Sequence, residues 1–265
     1  MNRGHHKSCL QQRSGHSGHS SCLVDMIEYW AGTANLTKEH VKAGLTCTRF
    51  DVAYSKQHDC TTNSGLRLWL EEMLRMAKGG LVWCGTKCSP FLLMCVSKSK
   101  RRAENGYVGD TSRTFVAIGN EQMKVLSLIY GLAWFLQVDV ILEQPQQSVL
   151  PLIQPLKEAL DFTGATKTTT WLGKFGGDSP KPIQLWHTNP KFDVLKRSRP
   201  IKQTKGGNLV VRLPDGKFRG RTKALKASQV YPVAFAKAVT DVSRVRACTA
   251  HRESYGGNTR FTLDE

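Results

Sequence analysis

The sequence predicts an α/β protein built on a doubly wound, mostly parallel sheet. Short apolar runs alternate with segments of helical periodicity, as expected where helices connect parallel strands. Several runs end at small or polar residues, Gly32, Asp51 and Glu143 among them. Hydrophobic residues make up 40% of the 265, with six Trp and ten Phe, enough for a packed core.

Residues 22–30 (CLVDMIEYW) read as a strand, and Asn35 to Ala43 as a short helix stopped by Gly44. Residues 45–50 form a second strand, with Asp51 at its tip. Leu66, Leu70, Met73, Leu74 and Ala77 recur at helical spacing over 65–77, before Gly79-Gly80 and a third strand at 81–84. A long apolar helix over 119–136 precedes a buried strand at 138–143. A helix at 151–162 and strands at 166–172 and 182–187 follow. Residues 188–227 are rich in Lys, Arg, Pro and Gly and read as an irregular basic insert, with a hairpin around Asp215-Gly216. Helical spacing returns over 229–242. The predicted organisation is therefore a tail at 1–21, one α/β domain at 22–187 plus 228–246, an insert at 188–227, and a loose tail at 247–265.

The amino-terminal tail is rich in His, Ser and Gly and is expected to be unstructured. His5, His6, Cys9, His16, His19 and Cys22 offer metal-binding atoms, but paired cysteine spacing is missing and no metal is expected. The eight Cys show no C-x-x-C pair and read as reduced thiols of an intracellular protein. No apolar run reaches the roughly 20 residues of a membrane span, and the amino terminus carries no secretory core. Location is expected to be intracellular, nuclear in a eukaryotic cell. The net charge is +17, from 38 Lys and Arg against 21 Asp and Glu. Such an excess repels itself and suits a polyanion, so nucleic acid is the expected partner and a membrane is not. Oligomeric state is not legible.

Candidate chemistry gathers at strand ends. The turn Trp30-Ala31-Gly32-Thr33-Ala34 lets a ligand approach the main chain, and the next helix offers N–H groups at its start. Asp51 stands where an acid accepts ribose hydroxyls. Cys88, after a strand and before Ser89-Pro90-Phe91, reads as an exposed nucleophile whose pKa Lys87 could lower, or as a structural thiol; the structural role suits Cys84 and Cys47 better. Glu143, ending an apolar strand, is expected to be exposed at the carboxyl edge of the sheet, since burial without a partner is expensive; a salt-bridged role is the alternative. Lys98, Lys100, Arg101, Arg102 and Arg113 are candidate phosphate contacts.

The order of these stretches resembles the DNA cytosine-5 methyltransferase family, a branch of the S-adenosylmethionine-dependent methyltransferases. EYWAGTANL looks like its first cofactor motif and FDV like its ribose-binding acid. GTKCSPF is similar to its nucleophile loop, with Cys88 on the cysteine, and SKSKRRAENGYVGDTSR to the basic loop after it. LEQP resembles the motif that carries the glutamate, with Glu143 on it. WLGKFGGDSPKPIQLW and SQVYPVAFAKAV resemble later motifs, the last of which closes the cofactor pocket. The likeness spans about residues 24–242, with departures: Ala34 and Asn35 replace glycines, Thr86-Lys87 replace Pro-Pro, Lys181 replaces Gln, and Ile183 and Leu185 stand near the places of two arginines.

The resemblance implies a class I, Rossmann-like methyltransferase domain and S-adenosyl-L-methionine as cofactor. It implies catalytic roles for Cys88, Glu143 and Arg113, and cofactor contacts from Tyr29, Gly32, Thr33, Asp51 and Gln229. Nucleic acid, DNA rather than RNA, would meet Lys98, Lys100, Arg101, Arg102, Lys181, Arg197, Arg219 and Arg221. Activity is expected at cytosine carbon 5. The alternative is a catalytically inactive or differently specific protein of the same fold that binds nucleic acid.

Overall fold

The structure is a computed structural model that describes residues 23–200, 210–212, 214, 218–220 and 228–255. A six-stranded sheet has the order β2-β1-β3-β4-β6-β5. Its strands are β1 (Val24–Tyr29), β2 (Cys47–Phe50), β3 (Met76–Cys84), β4 (Asp139–Pro145), β5 (Thr166–Trp171) and β6 (Pro182–His187). The pairs β1/β2, β1/β3 and β3/β4 are parallel, while β6 runs antiparallel to both β4 and β5. The expected mixed α/β architecture with a mostly parallel sheet is present.

Helices cover both faces. α2 (Asn63–Met73), α4 (Thr114–Leu136) and α5 (Gln154–Phe162) bury Trp69, Met73, Ile129, Tyr130 and Leu156 on one side. α1 (Asn35–Lys42) and α6 (Val233–Tyr255) bury Leu36, Phe235 and Val239 on the other, against Trp83 and Leu185. The remaining helix, α3 (Val96–Ser99), is a single turn in the basic loop. Each fully buried large apolar side chain contributes about 1.5–3 kcal/mol, so the two faces clamp the sheet. Alternation explains how β1 feeds both: Met26 faces the second cluster, Ile27 and Tyr29 the first.

Several boundaries differ from expectation. β3 starts at Met76, so Gly79 and Gly80 lie inside a strand. They do not stop a helix there; the β1/β3 ladder shifts register between Val24 and Met26, and two glycines fit that irregularity. α4 begins at Thr114, five residues before the apolar pattern, and its first turns are tied to the basic loop: Arg101 donates to Val116 O at 3.3 Å and Asn120 Nδ2 to Val108 O at 3.1 Å. α6 continues to Tyr255, which overturns the loose tail from residue 247 to that point. In the basic insert, β7 (Val210–Arg212) pairs with β8 (Phe218–Gly220), giving the hairpin expected around residues 215–216. The 1–21 tail, its candidate metal ligands and residues 256–265 lie outside the described residues. Among the described residues, no helix is long and apolar enough to cross a membrane, and no group of three His, Cys, Asp or Glu is placed to hold a metal.

Sheet order fixes where a ligand can enter. The chain leaves β1 for β2 on one side and comes back to β3 on the other. The loops after β1 and β3 therefore diverge, and a crevice opens at the carboxyl edge between them.

Candidate active site

A cavity of about 350 Å3 occupies that crevice. The turn after β1, the tip of β2, the loop after β3 and the end of β4 all line it, through Gly32, Asp51, Cys88 and Glu143. Thr33, Lys181 and Gln229 line it too. Sequence positions far apart thus meet in one space, as the spacing of the motifs requires.

The turn after β1 is conformationally expensive. Trp30, Gly32 and Ala34 all have left-handed φ angles, 55°, 52° and 53°. Glycine tolerates this, whereas Trp30 and Ala34 are strained and must be held. Ala31 N donates to Phe50 O at 3.0 Å, and Ala34 N to Ala31 O at 2.7 Å. A Cβ on Gly32 would meet nothing within 4 Å, so its role is the φ angle and not close packing. Gly32 N donates to Asp51 Oδ2 at 2.9 Å, and Ala53 N to Asp51 Oδ1 at 2.8 Å. Two main-chain donors thus fix the Asp51 carboxylate, and each oxygen keeps lone-pair capacity for a ligand hydroxyl. Trp30 and His58 line the cavity nearby, and Trp69 is buried against Trp30, 4.8 Å between ring centroids. One expected helix donor is already used: Thr37 N donates to Glu28 Oε2 at 2.8 Å.

The loop after β3 brings Cys88 to the cavity. Gln144, the residue after Glu143, holds that loop: its side chain donates to Thr86 O at 3.1 Å and accepts from Ser148 Oγ at 2.8 Å. Cys88 starts a short turn, with Phe91 N donating to Cys88 O at 2.9 Å. The thiol is half-buried, and burial pushes its pKa up. The expected lowering by Lys87 is therefore not what dominates; Lys87 is exposed, and the cation that pulls the thiol down is Lys181. Cys84 and Cys47 fit the structural role: Cys84 is buried, and burial pushes the Cys47 thiol up to about 12.

Glu143 is 6% exposed, which corrects the expectation of an exposed carboxylate. It is tolerated because Tyr231 donates to Oε2 at 2.8 Å and the Lys181 ammonium lies 3.9 Å from Oε1. Tyr231 accepts in turn from Trp83 Nε1 at 3.3 Å. Burial, then the Glu143 charge, raises the Tyr231 phenol well above its usual range, so it stays a donor. A Cβ on Gly85 would meet the Tyr231 hydroxyl at 2.9 Å, so only glycine admits this contact. Oε1 of Glu143 is buried and, among the described residues, has no hydrogen-bond partner. A buried acceptor left so is costly in the absence of a ligand, which suits a binding atom.

Four expected contacts need correction. Tyr29 is fully buried; it stacks on Trp69 at 4.1 Å between ring centroids and donates to Trp69 O, so it supports the cavity from behind. Arg113 does not line the cavity; it pairs with Asp110 at 3.0 Å, just before α4. Arg101 is 1% exposed and cannot reach a phosphate. Its guanidinium donates to the carbonyls of Pro90, Tyr107, Val108 and Val116 and to Asn120 Oδ1, which uses all five of its N–H groups. It also lies over the Phe91 ring at 4.6 Å, tying the basic loop to the turn after Cys88. Lys181 faces the cavity and not the outer surface.

Lys98, Lys100, Arg102 and Arg197 are exposed. Arg197 lies over the Phe175 ring at 5.3 Å. Arg219 is placed in β8 by its main chain alone, and Arg221 lies outside the described residues. Sequence reasoning missed Tyr231 and Gln144. The signal for Gln144 is its place beside Glu143 on a strand; nothing local marks Tyr231, which contacts Glu143 from 88 positions away.

Fold and site together define an α/β protein with a ligand-sized cavity at the carboxyl edge of its sheet, lined among others by Cys88, Asp51, Glu143 and Lys181. No protein-family model matches the chain, and no curated protein matches its sequence.

Proposed function

We propose that the protein is an S-adenosylmethionine-dependent methyltransferase of doubly wound, class I-like fold that modifies cytosine carbon 5 in nucleic acid, DNA in preference to RNA. One observation carries this reading: Gly32, Asp51, Cys88 and Glu143 line the same cavity. The cofactor's chemistry fits the residues present. Asp51 is a fixed acceptor for ribose hydroxyls, and the half-buried Trp30 that lines the cavity beside it suits a purine. When bound, S-adenosylmethionine supplies an electrophilic methyl on a sulfonium.

The chain's own residues would act on the base. The Cys88 thiolate forms a bond to carbon 6, which makes carbon 5 the nucleophilic end of an enamine. Glu143, a carboxylate in the free protein, takes up a proton from solvent as the base binds and gives it to ring nitrogen 3, so negative charge does not build up there. Such proton transfer is worth roughly 10²–10⁴ in rate. After the methyl has moved to carbon 5, a solvent water takes the proton from that carbon, the carbon 6–sulfur bond breaks with Cys88 leaving as thiolate, and the proton on ring nitrogen 3 returns to Glu143. A base in a duplex must first leave the stack. Lys98, Lys100, Arg102 and Arg197 would hold phosphates from the protein surface. Such a substrate would place the protein inside the cell, and in the nucleus if the cell is eukaryotic.

Two measurements test this. Titration calorimetry should detect S-adenosylmethionine binding, weakened at least about tenfold in Asp51→Ala by loss of a charge-assisted contact; unchanged binding rejects the ribose contact. An oligonucleotide carrying 5-fluorocytosine should form a covalent adduct with the wild type and none with Cys88→Ser. An adduct in the serine variant rules out this nucleophile.

A second reading, a nucleic-acid-binding protein that does no such chemistry, is favoured by one observation. Burial raises the Cys88 thiol when a nucleophile benefits from the opposite. Oligonucleotide binding without adduct or cofactor binding would select it.

A further inference from the structure

Among the described residues that line the cavity, one lysine is neither exposed to solvent nor in hydrogen-bond contact with a carboxylate: Lys181, whose ammonium stands 3.9 Å from Glu143 Oε1. Lys87, the other lysine there, is exposed to solvent. The Lys181 side chain is only 17% exposed. Its ammonium donates to Ser228 O at 3.2 Å, from the segment that also brings Gln229 and Tyr231 to the cavity.

We propose that Lys181 is a positioning residue, the shared counter-charge for the Cys88 thiolate and for Glu143, whose hydrogen-bond-free Oε1 lies 3.9 Å from its ammonium. Taking a thiolate and a carboxylate into one half-buried space is unfavourable without a nearby cation. Lys181 supplies it, at a place where neighbouring main chain fixes it and solvent screens it little. A donor on the bound base can then take Oε1 while the lysine stays.

The electrostatics agree. After burial, Lys181 is the largest influence on the Cys88 thiol and favours the thiolate; Glu143 and Cys95 oppose it. The other titratable groups around the cavity are Asp51, His58, Asp59, Cys60 and Tyr231. The inference deepens the methyltransferase reading, but its test needs neither cofactor nor nucleic acid.

The experiment follows alkylation of Cys88 by iodoacetamide across pH, read by peptide mass spectrometry in the full chain. Lys181→Met should slow Cys88 alkylation at pH 8 about tenfold. Lys181→Gln, which keeps an N–H for the Ser228 carbonyl, should do the same, and it decides the matter if the methionine variant does not fold. Lys181→Arg should restore the wild-type rate, and Glu143→Gln should speed the reaction. A folded neutral variant that reacts at the wild-type rate overturns the proposal. Slowed alkylation together with no adduct on 5-fluorocytosine would instead remove the methyltransferase reading and keep the role of Lys181.

Discussion

Strand β4 carries a buried acid near each end, and each acid has a lysine beside it. At the amino end, Asp139 is 5% exposed; Lys191 Nζ lies 2.8 Å from Oδ2, and Asn189 Nδ2 donates to both oxygens at 3.1 and 3.2 Å. At the carboxyl end, Glu143 is equally buried, yet its lysine stands off at 3.9 Å and Oε1 has no hydrogen bond. The same residue types on the same strand are closed at one end and open at the other. A closed pair holds the fold together; an open one spends stability to keep an acceptor ready for a ligand.

This contrast is easy to break. Asp139→Ala should cost about 3 kcal/mol in urea denaturation, since it strands a lysine and an amide in a tight space. Glu28 comes next. It is fully buried on β1 and accepts twice from Thr37; among the described residues its Oε1 has no hydrogen-bond partner and no lysine forms an ion pair with it. Burial, against the weaker opposing pull of Thr37, Arg49 and Lys38, raises its pKa from 4.5 to about 7. The folded state therefore binds a proton that the unfolded state releases, so stability falls as pH rises through that window. Relative to Glu28→Gln, the wild type should lose about 2–3 kcal/mol between pH 4.5 and pH 7 and little more above. A difference that does not vary with pH would reject this account. Glu143→Gln should have the smallest effect on folding, under about 1 kcal/mol, while the proposed methyl transfer should fall sharply. If Glu143→Gln destabilises as much as Asp139→Ala, the two ends of β4 do not differ in kind.

Local pattern made part of this legible. The alternation of strands and helices, the turn at Gly32, the acid at Asp51 and the cysteine after β3 are all features of short stretches, and the structure brings them to one edge. The remainder depends on distance along the chain. Arg101 reads like its neighbours Lys100 and Arg102, and only the return of α4 beneath the loop turns it inward onto Asn120. The lysine beside Glu143 depends on β6 entering between β4 and β5 in the opposite direction, so that Lys181 arrives next to the end of β4. Tyr231 arrives from after the insert, through a gap that exists because residue 85 lacks a side chain. The early start of β3 was hidden because its first residues also continue the spacing of α2.

The five bonds of Arg101 bear on how charge should be counted. Its formal charge is part of the +17, yet every N–H it has is spent on the protein. Mobile anions gather around exposed cations, and a nucleic acid gains by setting free the ions condensed on its own phosphates, one contact at a time. From the run Lys98, Lys100, Arg101 and Arg102, the buried arginine contributes nothing to that exchange. Affinity would therefore decline with added salt less steeply than a tally of basic letters in the loop implies.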